Sequence, residues 1–146
     1  MLNLQLKKNN IMYEIKISYV TIDKNGNDKM VRESLILEHA ESFADAEQIG
    51  YDYGSGLTAI DVTDVKRSKL KEVLNERSSN EEQIWMAELM DIFVDDEGNE
   101  KPIKYKTILF ATTFDKAKAF VSEYIKQEYN LELISLKLTK FNDVLK

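Results

Sequence analysis

Cysteine is absent from this 146-residue chain. Disulfides, thiolate zinc sites and thiol nucleophiles are thereby excluded, and the absence is compatible with a reducing cytoplasm. Histidine occurs once, at His39. No serine or aspartate near it builds a nucleophile pattern, so acid–base catalysis finds no constellation. The carboxylates are many and scattered, with no spaced pair. Neither GxGxxG nor GxxxxGK[ST] occurs, so no phosphate-binding loop is signalled. No apolar run reaches the roughly eighteen residues of a membrane span. The start, "MLNLQLKKNN", places its basic residues after the apolar ones and lacks a small-residue cleavage site, unlike a signal peptide. Residues 1–12 read as an N-terminal extension, with Met12 an alternative start. The expectation is a cytoplasmic protein that is not an enzyme and needs no cofactor or metal.

Positive charge is outnumbered, with 20 Lys and Arg against 26 Asp and Glu. The net charge is −6, which argues against a duplex-DNA protein that relies on a positive field over its whole surface. It leaves room for a local basic strip on an acidic body. What is present is 43% hydrophobic residues, enough to bury a core at this length.

The hydrophobic residues fall into a repeated pattern. Asp23, Gly26, Asn27 and Lys29 recur as Asp95, Gly98, Asn99 and Lys101. Ile36 and Leu37 meet Ile108 and Leu109. After a one-residue gap, Phe43, Ala46 and Tyr53 meet Phe114, Ala117 and Tyr124, and Lys66, Lys69, Val73 and Leu74 meet Lys137, Lys140, Val144 and Leu145. We read a tandem duplication: a first unit over 13–74, a polar linker over 75–83 and a second unit over 84–146.

Each unit has one internal plan. "YEIKISYVTI" alternates apolar and polar residues, as a half-buried strand does, and "IWMAELMDIFV" takes its place in the second unit. Asn25-Gly26 and Glu97-Gly98-Asn99 suit hairpin turns. Pro102, the one proline, stands just past the second turn, where a missing N–H costs little. Ser42 and Thr113 are placed to cap helices whose apolar faces are Ala46, Ile49, Gly50, Tyr53 and Ala117, Phe120, Val121, Tyr124, Ile125. A third strand follows and shifts phase near Val65 and Leu136, which predicts a bulge or break. The fold class is therefore α+β: two β-β-α-β units, related by a pseudo-two-fold, forming a mainly antiparallel sheet or half-barrel covered by two helices, as one compact domain.

Two features invite a chemical reading. The turn Asp23, Asn25, Asn27 spaces oxygens as a calcium loop does. Its glycine stands at the fourth position, however, and the twelfth position is Ser34 or Lys106 rather than a glutamate. The other is basic. "KRSKLK" groups Lys66, Arg67, Lys69 and Lys71; its counterpart keeps Lys137 and Lys140; "KPIKYK" sets Lys104 and Lys106 on one strand face with Tyr105 between them. Such a strip suits a phosphate backbone, with Tyr105 stacking on a base. The structural alternative, which weighs more by frequency alone, is an ordinary solvated strand face that blunts an edge against aggregation. Most other aromatics fall on core faces by their periodicity, with Trp85 in the place of Tyr13.

The chain resembles the uncharacterised DUF4494 family, seen in Bacteroidota and their phages. Tyr13, Lys16, Ile17 and Tyr19 match its first strand. Ser42, Phe43, Ala46 and Glu47 match its helix start, and Val62, Asp64, Val65, Lys66, Arg67 and Ser68 its third strand. The second unit departs from this last motif with Leu136, Lys137 and Leu138. The resemblance implies a bacterial or phage setting and no known activity. The expected function is a non-enzymatic accessory protein binding nucleic acid, single-stranded by preference, through the basic residues above. The alternative is an interaction module that binds a host protein or sequesters a small signalling nucleotide, and a homo-oligomer is compatible with either reading.

Overall fold

The computed structural model describes residues 11–128 and 130–146. Of the expected N-terminal extension, residues 1–10 lie outside the described residues. Met12 is buried, and its carbonyl accepts the Ser68 N–H at 2.8 Å.

Strands β1 (Tyr13–Ile22) and β2 (Asp28–Leu37) form an antiparallel hairpin, as do β5 (Gln83–Val94) and β6 (Glu100–Ala111). The acidic residue opening each turn has a structural task. Asp23 Oδ1 accepts the N–H groups of Asn25 and Asn27 at 2.8 and 2.9 Å, and Asp95 Oδ1 accepts those of Glu97 and Asn99 at 3.0 and 2.9 Å. Gly26 and Gly98 stand at φ +81° and +84°, a region glycine enters without a Cβ penalty. The turns that resemble calcium loops thus spend an aspartate oxygen on their own backbone.

The helices begin where the caps predict. Ser42 accepts the Asp45 N–H at 3.0 Å and starts α1 (Phe43–Tyr53). Thr113 accepts the Lys116 N–H at 3.2 Å and starts α2 (Phe114–Lys126). Each cap satisfies a donor that the helix itself cannot. α1 buries Ala46 and Gly50, and α2 buries Ala117 and Val121. Small residues let each helix lie close to its sheet. A Cβ on Gly50 would come within 2.9 Å of Val62 Cγ2 and 3.0 Å of Ile15 Cδ1.

The third strands, β3 (Thr58–Arg67) and β7 (Leu131–Leu138), pair antiparallel with β1 and β5. The expected phase shift is a bulge in each. Thr63 is passed over between the Lys16 and Ile17 partners, and Ile134 between those of Glu88 and Leu89. Ala59 and Asn130, near the starts of these strands, both take positive φ, 54° and 71°.

Beyond these strands the expected architecture needs correction. One sheet or half-barrel was expected; with the short strands β4 (Leu70–Val73) and β8 (Asp143–Leu145) there are two four-stranded sheets, ordered β3-β1-β2-β8 and β4-β6-β5-β7. The third strands do not simply run on. After Arg67 the chain breaks and resumes as β4 (Leu70–Val73), parallel to β6. After Leu138 it breaks and resumes as β8 (Asp143–Leu145), parallel to β2. These short strands occupy the hairpin edges that a continuous sheet would have needed. The chain forms two compact units, one running to Ser68 and including Phe141–Lys146, the other Lys69–Lys140. The segment 75–83, expected as a linker, runs within the second unit between β4 and β5, with Gln83 opening β5.

Each unit has its own core. In the first, Tyr13, Ile15, Ile17, Leu35, Leu37, Ala40 and Ala46 cluster; in the second, Trp85, Ala87, Leu89, Leu109, Ala111, Ala117 and Val121. Burying a side chain such as Ile17 or Leu89 stabilises the fold by about 1.5–3 kcal/mol. Trp85 fills the place of Tyr13: Tyr13 meets Phe43 edge-on at 5.3 Å, and Trp85 meets Phe114 edge-on at 6.0 Å. The extra polar atom of the indole is satisfied, since Trp85 Nε1 donates to the Ala111 carbonyl at 2.9 Å.

Candidate nucleic-acid interface

The candidate basic residues divide between the two units. Lys66 and Arg67 end β3 in the first unit; Lys69, Lys71, Lys104, Tyr105, Lys106, Lys137 and Lys140 belong to the second.

In the first unit both cations have local partners. Lys66 faces Glu14 across the β1–β3 ladder, with Nζ 3.8 Å from Glu14 Oε1. Ser68 Oγ donates to the other oxygen of Glu14 at 2.7 Å. The Arg67 guanidinium lies 5.8 Å from the centre of the Phe43 ring, which already carries Tyr13 on its edge. The Val65-Lys66-Arg67-Ser68 run therefore ties the end of β3 to β1 and to the start of α1. That is a scaffold role for this run. The second unit has Leu138 in the register of Arg67, beside its own Trp85.

In the second unit burial does not alternate along β6: residues 107–111 are all buried, so that end of the strand is covered on both faces, and its two faces are told apart by which side chains join the core under α2. Tyr105, Leu109 and Ala111 of β6 point to α2, so Lys104 and Lys106 stand on the opposite face. Lys106 is opposite Glu88 and Lys104 opposite Met90 on β5; Lys137 of β7 is opposite Met86. The face thus carries Lys104, Lys106 and Lys137 around a central row of Met86, Glu88 and Met90. Among the described residues none of these three lysines has a carboxylate within ion-pair distance. Lys71 is exposed where the register shifts between Leu70, opposite Lys106, and Glu72. Lys69 and Lys140 are exposed just outside β4 and β7.

Tyr105 does not join this face. It packs with Tyr124, Phe120 and Leu133 under α2. Burial and then the nearby Glu72, Asp91 and Glu128 carboxylates push its phenol above the usual tyrosine range. Tyr124 is raised more strongly, by burial first and then by its hydrogen bond to Glu72 Oε1 at 3.0 Å. A ring held this way is not presented for stacking on a base. Met86, Glu88 and Met90 were not singled out in the sequence, although the alternation of "IWMAELMDIFV" puts them on one face.

Elsewhere, His39 is exposed just beyond β2. Among the described residues, no group of three acidic or histidine side chains is arranged to hold a metal ion. In the first unit an open depression of about 420 Å³ is lined by Tyr19, Val20, Thr21, Ile22, Asp28, Gly56, Leu57 and Thr58. Its lining has one carboxylate and no cation, a poor match for a phosphate group. No helix among the described residues is long and apolar enough to cross a membrane.

A family model described as a domain of unknown function, DUF4494, matches residues 11–146. No curated protein matches the chain.

Proposed function

The chain belongs to the DUF4494 family, and from that premise and the lysine face of its second unit we propose that it is a non-enzymatic accessory protein that binds single-stranded nucleic acid. The observation that carries this reading is the placement of Lys104, Lys106 and Lys137 on one sheet face, away from α2 and free of carboxylate partners among the described residues. Lys104 and Lys106 stand about 7 Å apart along β6, at roughly 3.4 Å per residue. Phosphates contact the lysines, while Met86 and Met90 offer adaptable apolar surface to the bases in place of Tyr105. Glu88 sits among the lysines and limits affinity. The setting we assign is the cytoplasm of a bacterium, or of the host where a phage encodes the protein.

The same reading takes the chain as a tandem duplication. Matching turns, caps, bulges, aromatic pairs and the positive φ of Ala59 and Asn130 at corresponding positions support it.

Fluorescence anisotropy with a labelled oligothymidine tests the assignment. Binding should weaken with salt at a log–log slope of about −2, from three lysines at about 0.7 each. The double variant K104E/K106E should bind at least about tenfold more weakly, and Glu88→Gln about two- to fivefold more tightly. Absence of salt-sensitive binding at micromolar protein would sink the reading. The alternative is an interaction module that binds a host protein or sequesters a small signalling nucleotide. Enrichment of one host protein on the tagged chain, with no oligonucleotide binding, would transfer the assignment to it.

A further inference from the structure

The first unit is completed by a strand that arrives from the far end of the sequence. β8 lies on β2 with Leu35, Ile36 and Leu37 in register with Asp143, Val144 and Leu145. The Ser34 N–H donates to Asn142 Oδ1 at 2.8 Å, the Asn142 N–H to the Ser34 carbonyl at 2.7 Å, and the Glu38 N–H to the Leu145 carbonyl at 2.8 Å. Leu145 packs against the first core.

We propose that this edge of β2 is a docking site with an exchangeable occupant, and that the Phe141–Lys146 segment of a second copy of this chain takes it, giving a strand-exchanged dimer. Four observations converge. β8 is three residues long and only half-buried, so it belongs to the part of the fold that opens at low cost. Leu35, Ile36 and Leu37 are almost fully buried, so a vacated edge would leave unpaired backbone beside core residues and must be covered again. The span that carries the chain from one unit to the other is short. Thr139 is pinned to the Ile84 carbonyl by its N–H at 3.0 Å and its hydroxyl at 2.8 Å, and Asn142 is already fixed on Ser34. A span this short fixes where the strand leaves the second unit, so a second copy has to present its β2 edge at that point to receive it. Finally, an identical strand from a second copy remakes every bond of the closed form, so the exchange costs only the entropy of association.

The chain has no cysteine, so introduced thiols report cleanly. Full-length Ser34→Cys and Asn142→Cys proteins of different mass are mixed, unfolded and refolded together at about 100 µM, then oxidised. The expected result is a disulfide-linked heterodimer, at least tenfold more abundant than from a Lys24→Cys plus Asn142→Cys mixture. The double variant S34C/N142C, refolded dilute, should close within one chain. If the double variant closes while the mixed single variants give no more heterodimer than the control, the strand stays in its own chain and the proposal is wrong. If the double variant does not close, β8 does not lie on β2 and the proposal fails with it.

Discussion

Tyrosine and carboxylate meet at corresponding places in both units, with the partners reversed. Tyr19 of β1 donates to Glu33 of β2 at 2.5 Å. In the second unit Asp91 stands on the first strand and raises Tyr105 on its neighbour. For Tyr19 the hydrogen bond to Glu33 is the main cause of its upward shift; for Tyr105 and Tyr124 it is burial. A phenol is neutral when protonated, so a raised pKa leaves stability intact below the unfolded value of about 10. Above that, the unfolded chain ionises while the folded one holds its protons, and stability is lost as pH rises through the folded values. Urea unfolding followed from pH 8 to 11.5 should show the midpoint falling once pH passes about 10. Tyr124→Phe should flatten that fall and cost about 0.5–1 kcal/mol at pH 7, through loss of the Glu72 bond. These pairings were not legible in the sequence. Glu33 and Tyr105 each lie fourteen positions from their partners, and only the hairpin register brings them together.

The elements were mostly legible, because their causes are local. Alternation marked β1 and β5, Ser42 and Thr113 marked the helix starts, and Asn25-Gly26 marked the first turn. The end of α1 holds a tight packing constraint. Gly54 caps the helix at φ −86°, a value any residue tolerates. A Cβ there, however, would fall 2.3 Å from Ile60 Cδ1 and 2.5 Å from Ile60 Cγ1. Gly54→Ala should therefore destabilise by about 1–3 kcal/mol through overpacking. Ile60→Ala removes the clashing atoms, so in a double-mutant cycle the loss in the double variant should fall short of the sum of the two single losses by about 1 kcal/mol. Strict additivity in urea denaturation would show that the helix end shifts aside instead. At the candidate site, the alternation of "KPIKYK" separated Lys104 and Lys106 from Tyr105 but did not reveal that α2 covers the tyrosine side. Nor does the sequence show that Lys66 meets Glu14, fifty-two positions earlier, across a ladder.

At the scale of the whole molecule, the sequence misled most where the strands are shortest. "LKEV" and "DVL" are too brief to carry a period, so they read as tails of the third strands rather than as edges of the other sheet. Their placement follows from tertiary pairing, which local pattern does not encode. It also changes what it means to divide this chain. Suppose the backbone is cut between Ser79 and Asn80, in the irregular segment before β5. The amino-terminal piece then keeps β4, which belongs to the β6 edge, and the carboxy-terminal piece keeps β8, which belongs to the β2 edge. Each piece holds a part the other lacks, like two links of a closed chain. With a protease site inserted there, the cleaved protein should elute as one species in size-exclusion chromatography and come apart only in denaturant. Two species eluting separately under native conditions would overturn this. A single cut would then leave the protein whole, and neither half of the sequence would be a domain that can be expressed alone.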